Sequence, residues 1–183
     1  MKTQKLFPGF LIAMPHLQDE MFAQSVILLL QHDEQGSMGL LLNKPLGQCV
    51  GNLVSEVQGA TRKDDEVYLG GPVEPSKGFI LHPDTYKDES TFFTDAGLSV
   101  STSIRALKDL TLQRKVPFRF FIGHAAWAPL QLEQELANGS WMTVPIDEQM
   151  IFSTQSQAFW YQLLQKINLD PSRIVQGNAG ELH

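Results

Sequence analysis

The sequence is poor in cysteine, in long apolar runs and in positive charge. Cys49 is the only cysteine among 183 residues, so no disulfide can form within the chain. That suits a reducing compartment. Such a cysteine reads as a small buried or half-buried hydrophobe, because a reactive thiolate needs a neighbouring base or cation. The most apolar run, Val26 to Leu30, is strand-sized and far short of the roughly 20 residues that a membrane-spanning helix requires. Near the start, the apolar stretch Phe10 to Met14 is cut by Pro15, His16 and Gln18, too early for the core of a signal peptide. The expectation is a soluble, cytoplasmic protein with no membrane partner.

Positive charge is scarce as well: 14 Lys and Arg stand against 20 Asp and Glu, a formal net charge of -6. The mean field repels phosphate backbones and anionic lipid, which argues against nucleic acid unless a local patch overrides it. Familiar chemical motifs are also missing. There is no Gly-x-Ser-x-Gly elbow, Walker loop, Gly-x-Gly-x-x-Gly turn or His-Glu-x-x-His helix. The histidines stand at 16, 32, 82, 124 and 183, none four residues from another and none beside a cysteine pair. No metal site and no cofactor is therefore expected. The acids Asp33-Glu34 and Asp64-Asp65-Glu66 read as solvated turns, and His82-Pro83-Asp84 as turn chemistry.

What is present is an ordinary globular composition, 43% hydrophobic and 19% charged. It fits one domain over residues 1–183, or one domain with a smaller subdomain, and a loose tail at 177–183. Gly9 to Met14 reads as a strand. Val26 to Leu30 lacks alternation, which suits a strand covered on both faces. The turn Asp33 to Ser37 joins it to a second apolar run, Met38 to Leu42, as a hairpin. Val50, Leu53, Val54 and Val57 follow helical spacing up to Gly59. Short strands are expected at Val67-Tyr68-Leu69, at Phe79-Ile80-Leu81, at Phe118 to Ile122 and at Trp141 to Val144. Ser103 opens a helix with Ile104, Leu107 and Leu110 inward. Pro129 opens another that stops at Asn138-Gly139. Ser153 or Thr154 caps a last helix bearing Trp160, Leu163, Leu164 and Ile167. Hairpins with interspersed helices predict an α+β fold, with a mostly antiparallel or mixed twisted sheet flanked by helices.

One charge feature stands out. Arg105, Lys108, Arg114, Lys115 and Arg119 lie within 15 residues, a candidate basic patch on the second helix and its exit. The plain alternative is a solvated helix face with a basic end favoured by the helix dipole.

Several clusters, in order, resemble the AlgH/YqgE family over nearly the whole chain. They are Gly9-Phe10-Leu11-Ile12-Ala13-Met14-Pro15, Phe22 with Ser25-Val26, Gly39-Leu40-Leu41-Leu42-Asn43-Lys44-Pro45 and Gly70-Gly71-Pro72-Val73. Gly123-His124-Ala125-Ala126-Trp127, Gln131-Leu132-Glu133-Gln134-Glu135 and Gly139-x-Trp141 complete the set. The resemblance implies a mixed α/β fold in a small bacterial cytoplasmic protein, and a label of transcriptional regulator from a proposed link to alginate production. The chain departs from the family pattern at three places. His124 stands where Tyr is usual, Ala126 where a second Gly is usual, and Leu130 where Gly is common. If those glycines serve close approach to a ligand, their loss counts against such a site; if they serve a strand-to-helix turn, Ala fits.

The matching pieces fall at strand ends and turns, where α/β proteins often build pockets. Asn43, Lys44, Gly70, Gly71, His124 and Trp127 are therefore the candidate ligand-binding residues. Backbone amides beside Lys44 suit an anion. The alternative is that Gly, Asn and Pro only make the turns and Trp127 is core. The first functional reading is a non-enzymatic regulatory or adaptor protein that binds a protein partner or a small anionic ligand. The second is an unrecognised hydrolase with His124 as general base. A DNA-associated regulator acting through Arg105 to Arg119 is the third.

Overall fold

The computed structural model describes residues 9–173; the expected tail at 177–183 lies outside them. The strands are Gly9–Ala13 (β1), Val26–Asp33 (β2), Gly36–Leu41 (β3), Pro45–Cys49 (β4), Glu66–Leu69 (β5), Val73–Pro83 (β6), Phe93–Asp95 (β7), Leu98–Ser101 (β8), Arg119–Trp127 (β9) and Trp141–Pro145 (β10). The α-helices are Val50–Leu53 (α1), Ile104–Thr111 (α2), Gln131–Ala137 (α3), Glu148–Ser153 (α4) and Ser156–Lys166 (α5). No helix among the described residues is long and apolar enough to cross a membrane.

The fold is α+β, built on one mostly antiparallel sheet in the order β10-β1-β2-β3-β9-β6-β8-β7, with β4 pairing β5 and β5 pairing β9 in parallel. The hairpin of β2 and β3 forms as its turn predicts, with a bulge between Leu29 and Gln31. Its strands are covered on both faces, as an unbroken apolar run requires. Phe10, Ile12, Val26, Leu28, Leu40 and Leu42 meet Phe159, Trp160, Leu163 and Leu164 of α5 on one face. Leu11, Ala13, Ile27, Leu29 and Leu41 meet Leu132 of α3 with Trp127 and Trp141 on the other. A third apolar cluster, with Val50, Val57, Leu107 and Leu110, covers β5, β6 and the start of β9.

Strand β9 connects the two halves. On one edge it pairs with β6; on the other, Phe120 to Ile122 runs parallel to β5 and Ala125 to Trp127 runs antiparallel to β3. The change of partner falls at Gly123, whose φ of 70° bends the strand. The expected strand over 118–122 followed by a turn is thus one strand of nine residues.

Four other expectations change. The helical stripe from Val50 to Gly59 is a single turn, α1, broken at extended Val54 and followed by a 3-10 turn over Ser55–Val57. Its backbone is tied instead to the following segment, Val50 N–H to the Asp65 carbonyl and Gly51 N–H to the Lys63 carbonyl. These ties, with three β-branched valines, outweigh the spacing. Ser103 does cap α2, accepting from the Ala106 N–H at 2.9 Å, but Ile104 faces solvent. The last helix starts at Ser156, because Thr154 is extended and separates α4 from α5. Pro129 precedes α3 rather than opening it; the residue at the boundary is Leu130, left-handed at φ 65° and exposed. That backbone costs a non-glycine residue about 1–2 kcal/mol, which accounts physically for a glycine preference there.

Candidate functional site

The six candidate binding residues gather where β3, β5, β6 and β9 meet, except Trp127, which lies at the far end of β9. Gly70 donates its N–H to the Ile122 carbonyl and accepts from the Leu41 N–H, both at 2.8 Å. A Cβ on Gly70 would penetrate the Gly123 carbonyl, one on Gly71 the backbone of His124, and one on Gly123 the Gly71 carbonyl. The close approach served by these glycines is between two stretches of the chain itself. Asn43 clamps the segment before β2, accepting from the Val26 N–H and donating to the Gln24 carbonyl, each at 2.9 Å. Lys44 Nζ donates to the Ala23 carbonyl at 3.0 Å, and burial pushes its pKa down.

His124 is buried under β6. Its Nδ1 has no hydrogen-bond partner among the described residues; Glu74 Oε2 stands 3.6 Å away, close enough for charge attraction but long for a hydrogen bond. Phe79 meets its ring edge-on at 5.6 Å. Burial pushes the His124 imidazole below its ordinary value, opposed by Glu74 and assisted by Lys77. His82 is completely buried and shifted down by burial too, against the raising effects of the Pro83 carbonyl and Asp88. Its Nδ1 lies 2.8 Å from the Pro83 carbonyl and so donates, leaving Nε2 to accept from Ser101 Oγ at 2.8 Å. Thr91 bonds Ser101 in turn at 2.7 Å. His82 therefore anchors the chain between β6 and β8.

These shifts fix a sign. In the unfolded chain imidazoles titrate near about 6.5, whereas the buried ones resist protonation to lower pH. Below that value the unfolded state binds more protons, so their contribution to stability is complete above about pH 6.5 and is lost as pH falls through and below it. Urea unfolding should give a lower free energy at about pH 5.5 than at about pH 7.5, and His124→Tyr should shrink that drop. An undiminished drop in the variant would remove His124 from the account.

Trp127 is held by α3. Glu135 accepts from the Trp127 indole N–H at 2.9 Å and from the Trp141 indole N–H at 2.8 Å, while Gln131 donates to its other oxygen at 3.0 Å. The two indoles meet edge-on at 6.1 Å. Sequence reading did not single out Glu135, although its place four residues after Gln131 in a helix beside two tryptophans was the signal.

The basic run divides. Arg105, Lys108, Arg114 and Lys115 are exposed on α2 and its exit, whereas Arg119 is half-buried at the start of β9. Arg119 lines a cleft of about 470 Å³ together with Pro45 of β4, Glu66 and Tyr68 of β5, Phe152 of α4, and Ser153 to Gln157 leading into α5. That volume lies within the roughly 300–1,000 Å³ usual for small-molecule sites. The guanidinium donates to the Thr154 carbonyl at 2.8 Å and the Leu42 carbonyl at 3.4 Å, and sits over the Tyr68 ring at 5.0 Å. No carboxylate among the described residues comes within 4.0 Å of it. Burial pushes its pKa down, while Tyr68 and Glu66 act through space to raise it. Two carbonyls satisfy hydrogen bonds without neutralising the charge, and several of its five N–H donors are left for another acceptor. Gln155, Ser156 and Gln157, at the start of α5, line the same cleft, and that helix end has no side-chain cap.

Comparison with known proteins places this architecture. A family model described as AlgH-like matches residues 10–172. A UPF0301 protein of Myxococcus xanthus is 39% identical over 179 residues, covering 96% of this chain and 98% of that one. A UPF0301 protein of a Shewanella species is 36% identical over 170 residues, covering 88% and 90%. Among solved structures, the AlgH protein from Pseudomonas aeruginosa matches with TM-score 0.74 and 32% identity over 96% of this chain and 97% of that one. A Corynebacterium diphtheriae protein, DIP2367, matches with TM-score 0.72 and 26% identity over 87% and 86%.

Proposed function

We propose that this chain, which belongs to the AlgH-like family, is a non-enzymatic regulatory or adaptor protein of the cytoplasm that takes a small anionic ligand in the cleft beneath Arg119. The observation that carries the reading is the half-buried guanidinium without a carboxylate neighbour, lining a cleft of ligand size. Charges withdrawn from water are ordinarily paired, so an unneutralised one favours an anion from outside. The start of α5 lines the same cleft and adds a favourable dipole. The cleft adjoins Lys44 through Pro45, one of the strand-end junctions marked by sequence, but the ligand side is β4, β5, β9 and α5 rather than the glycine crossing. Regulation would follow from occupancy: an anion bridging Arg119 and the start of α5 ties the α4–α5 segment to the sheet.

Amide chemical-shift mapping tests this with inorganic phosphate and with benzoate as probes. Saturable shifts confined to residues 66–68, 119 and 152–157 are expected. Shifts centred instead on Gly70, Gly71 and Gly123, or none that saturate, would overturn the placement.

A further inference from the structure

The cleft carries two opposite charges that have not collapsed onto each other. Glu66 and Tyr68 are two residues apart on β5 and both line the cleft, as strand periodicity requires. Glu66 is exposed and makes no ion pair among the described residues, yet it acts on Arg119 through space. A carboxylate that served only to neutralise Arg119 would sit in contact with the guanidinium, as Asp65 does with Arg62 at 2.6 Å. Here the guanidinium turns to the Thr154 and Leu42 carbonyls instead. Tyr68 and Phe152 supply aromatic surface in the same cleft.

Resting on the anion-binding reading above, we propose that the ligand is a zwitterion of the α-amino-acid class, its carboxylate on Arg119 and the start of α5 and its ammonium on Glu66, with an apolar side chain against Tyr68 and Phe152. Glu66 stands beside Arg119 on the neighbouring strand, each one position before the paired Val67 and Phe120, so a simple anion such as phosphate meets Arg119 but binds more weakly for the repulsion of Glu66. A zwitterion, whose two charges are themselves close together, satisfies both side chains at once.

A matched series separates zwitterion binding from simple anion binding. Phenylalanine, 3-phenylpropanoate (no ammonium) and phenethylamine (no carboxylate) are titrated by calorimetry into the wild-type protein and into Glu66→Gln. The variant changes an exposed side chain and should fold normally. Phenylalanine should bind at least tenfold more tightly than either single-charge analogue, and Glu66→Gln should erase its advantage over 3-phenylpropanoate while leaving that analogue's affinity the same or better. If 3-phenylpropanoate or phosphate binds as tightly as phenylalanine, or Glu66→Gln changes nothing, the zwitterion inference falls and the anion reading stands. If neither phenylalanine, 3-phenylpropanoate nor phosphate binds, both fall together.

Discussion

Gly123→Ala should destabilise the protein by about 2–5 kcal/mol, the sum of two independent costs. The left-handed backbone at φ 70° charges a residue with a Cβ about 1–2 kcal/mol. The new methyl also drives into the carbonyls of Gly71 and Val73, and overpacking of this kind costs about 1–3 kcal/mol. The obstructing atoms are backbone, at Gly71 just before β6 and at Val73, which pairs with His124 of β9, so they cannot swing aside as a side chain does. Gly139→Ala supplies the control. Its φ is 75° but nothing lies within 4 Å of an added Cβ, so it should cost only the backbone share, about 1 kcal/mol. Guanidinium unfolding of both variants reads the difference directly. Equal losses would mean that the crossing has slack, and would return these glycines to the list of residues free to approach a ligand.

Glu135→Ala should cost about 2–4 kcal/mol, because it strands two indole donors at once. Trp127 and Trp141 are about 94–95% buried, and neither indole nitrogen has another partner among the described residues. Hydrogen bonds to a carboxylate are stronger than neutral ones, which places the loss above that of an ordinary pair. Removing the carboxylate also frees Gln131 and loosens α3 from the end of β9. Glu135→Gln keeps an acceptor oxygen and should recover a substantial part of the loss. Thermal unfolding followed by tryptophan fluorescence checks both variants. A loss in Glu135→Ala no larger than in Glu135→Gln would mean that water replaces the carboxylate and that the two indoles do not depend on it.

Strands that carry their own hydrophobic signal were legible in the sequence. β1, β2 and β3 follow from apolar runs, β10 from the short stretch Trp141 to Val144, and the hairpin from its turn. Ser103 announced α2 correctly. Other elements are strands only because of what lies beside them. Pro45–Cys49 is almost wholly exposed and contains proline and glycine, yet it pairs with β5. The β7–β8 hairpin is too short for a periodic pattern, and is made by left-handed Ala96 and Gly97 at its turn. Tertiary ties cut the Val50 helix short for the same reason.

At the site, the conspicuous junction residues proved easiest to find and the least available. Asn43 and Lys44 each donate a side-chain hydrogen bond to a carbonyl of the loop before β2, and Gly70 and Gly71 are consumed by the chain crossing. The cleft escaped notice because four distant segments build it. Its one sequence signal is a charge inside an apolar strand: Arg119 between Phe118 and Phe120, read at first as the last member of a basic run.

That Arg119 holds an external anion is tested by calorimetric titration of the wild type and of Arg119→Lys with benzoate. Lysine keeps the charge but not the fork that bonds the Thr154 carbonyl and an anion together. Affinity should fall at least tenfold in the variant, with the fold intact by circular dichroism. Equal affinity in the two proteins would mean that Arg119 does not hold the anion and would move any binding site away from this cleft.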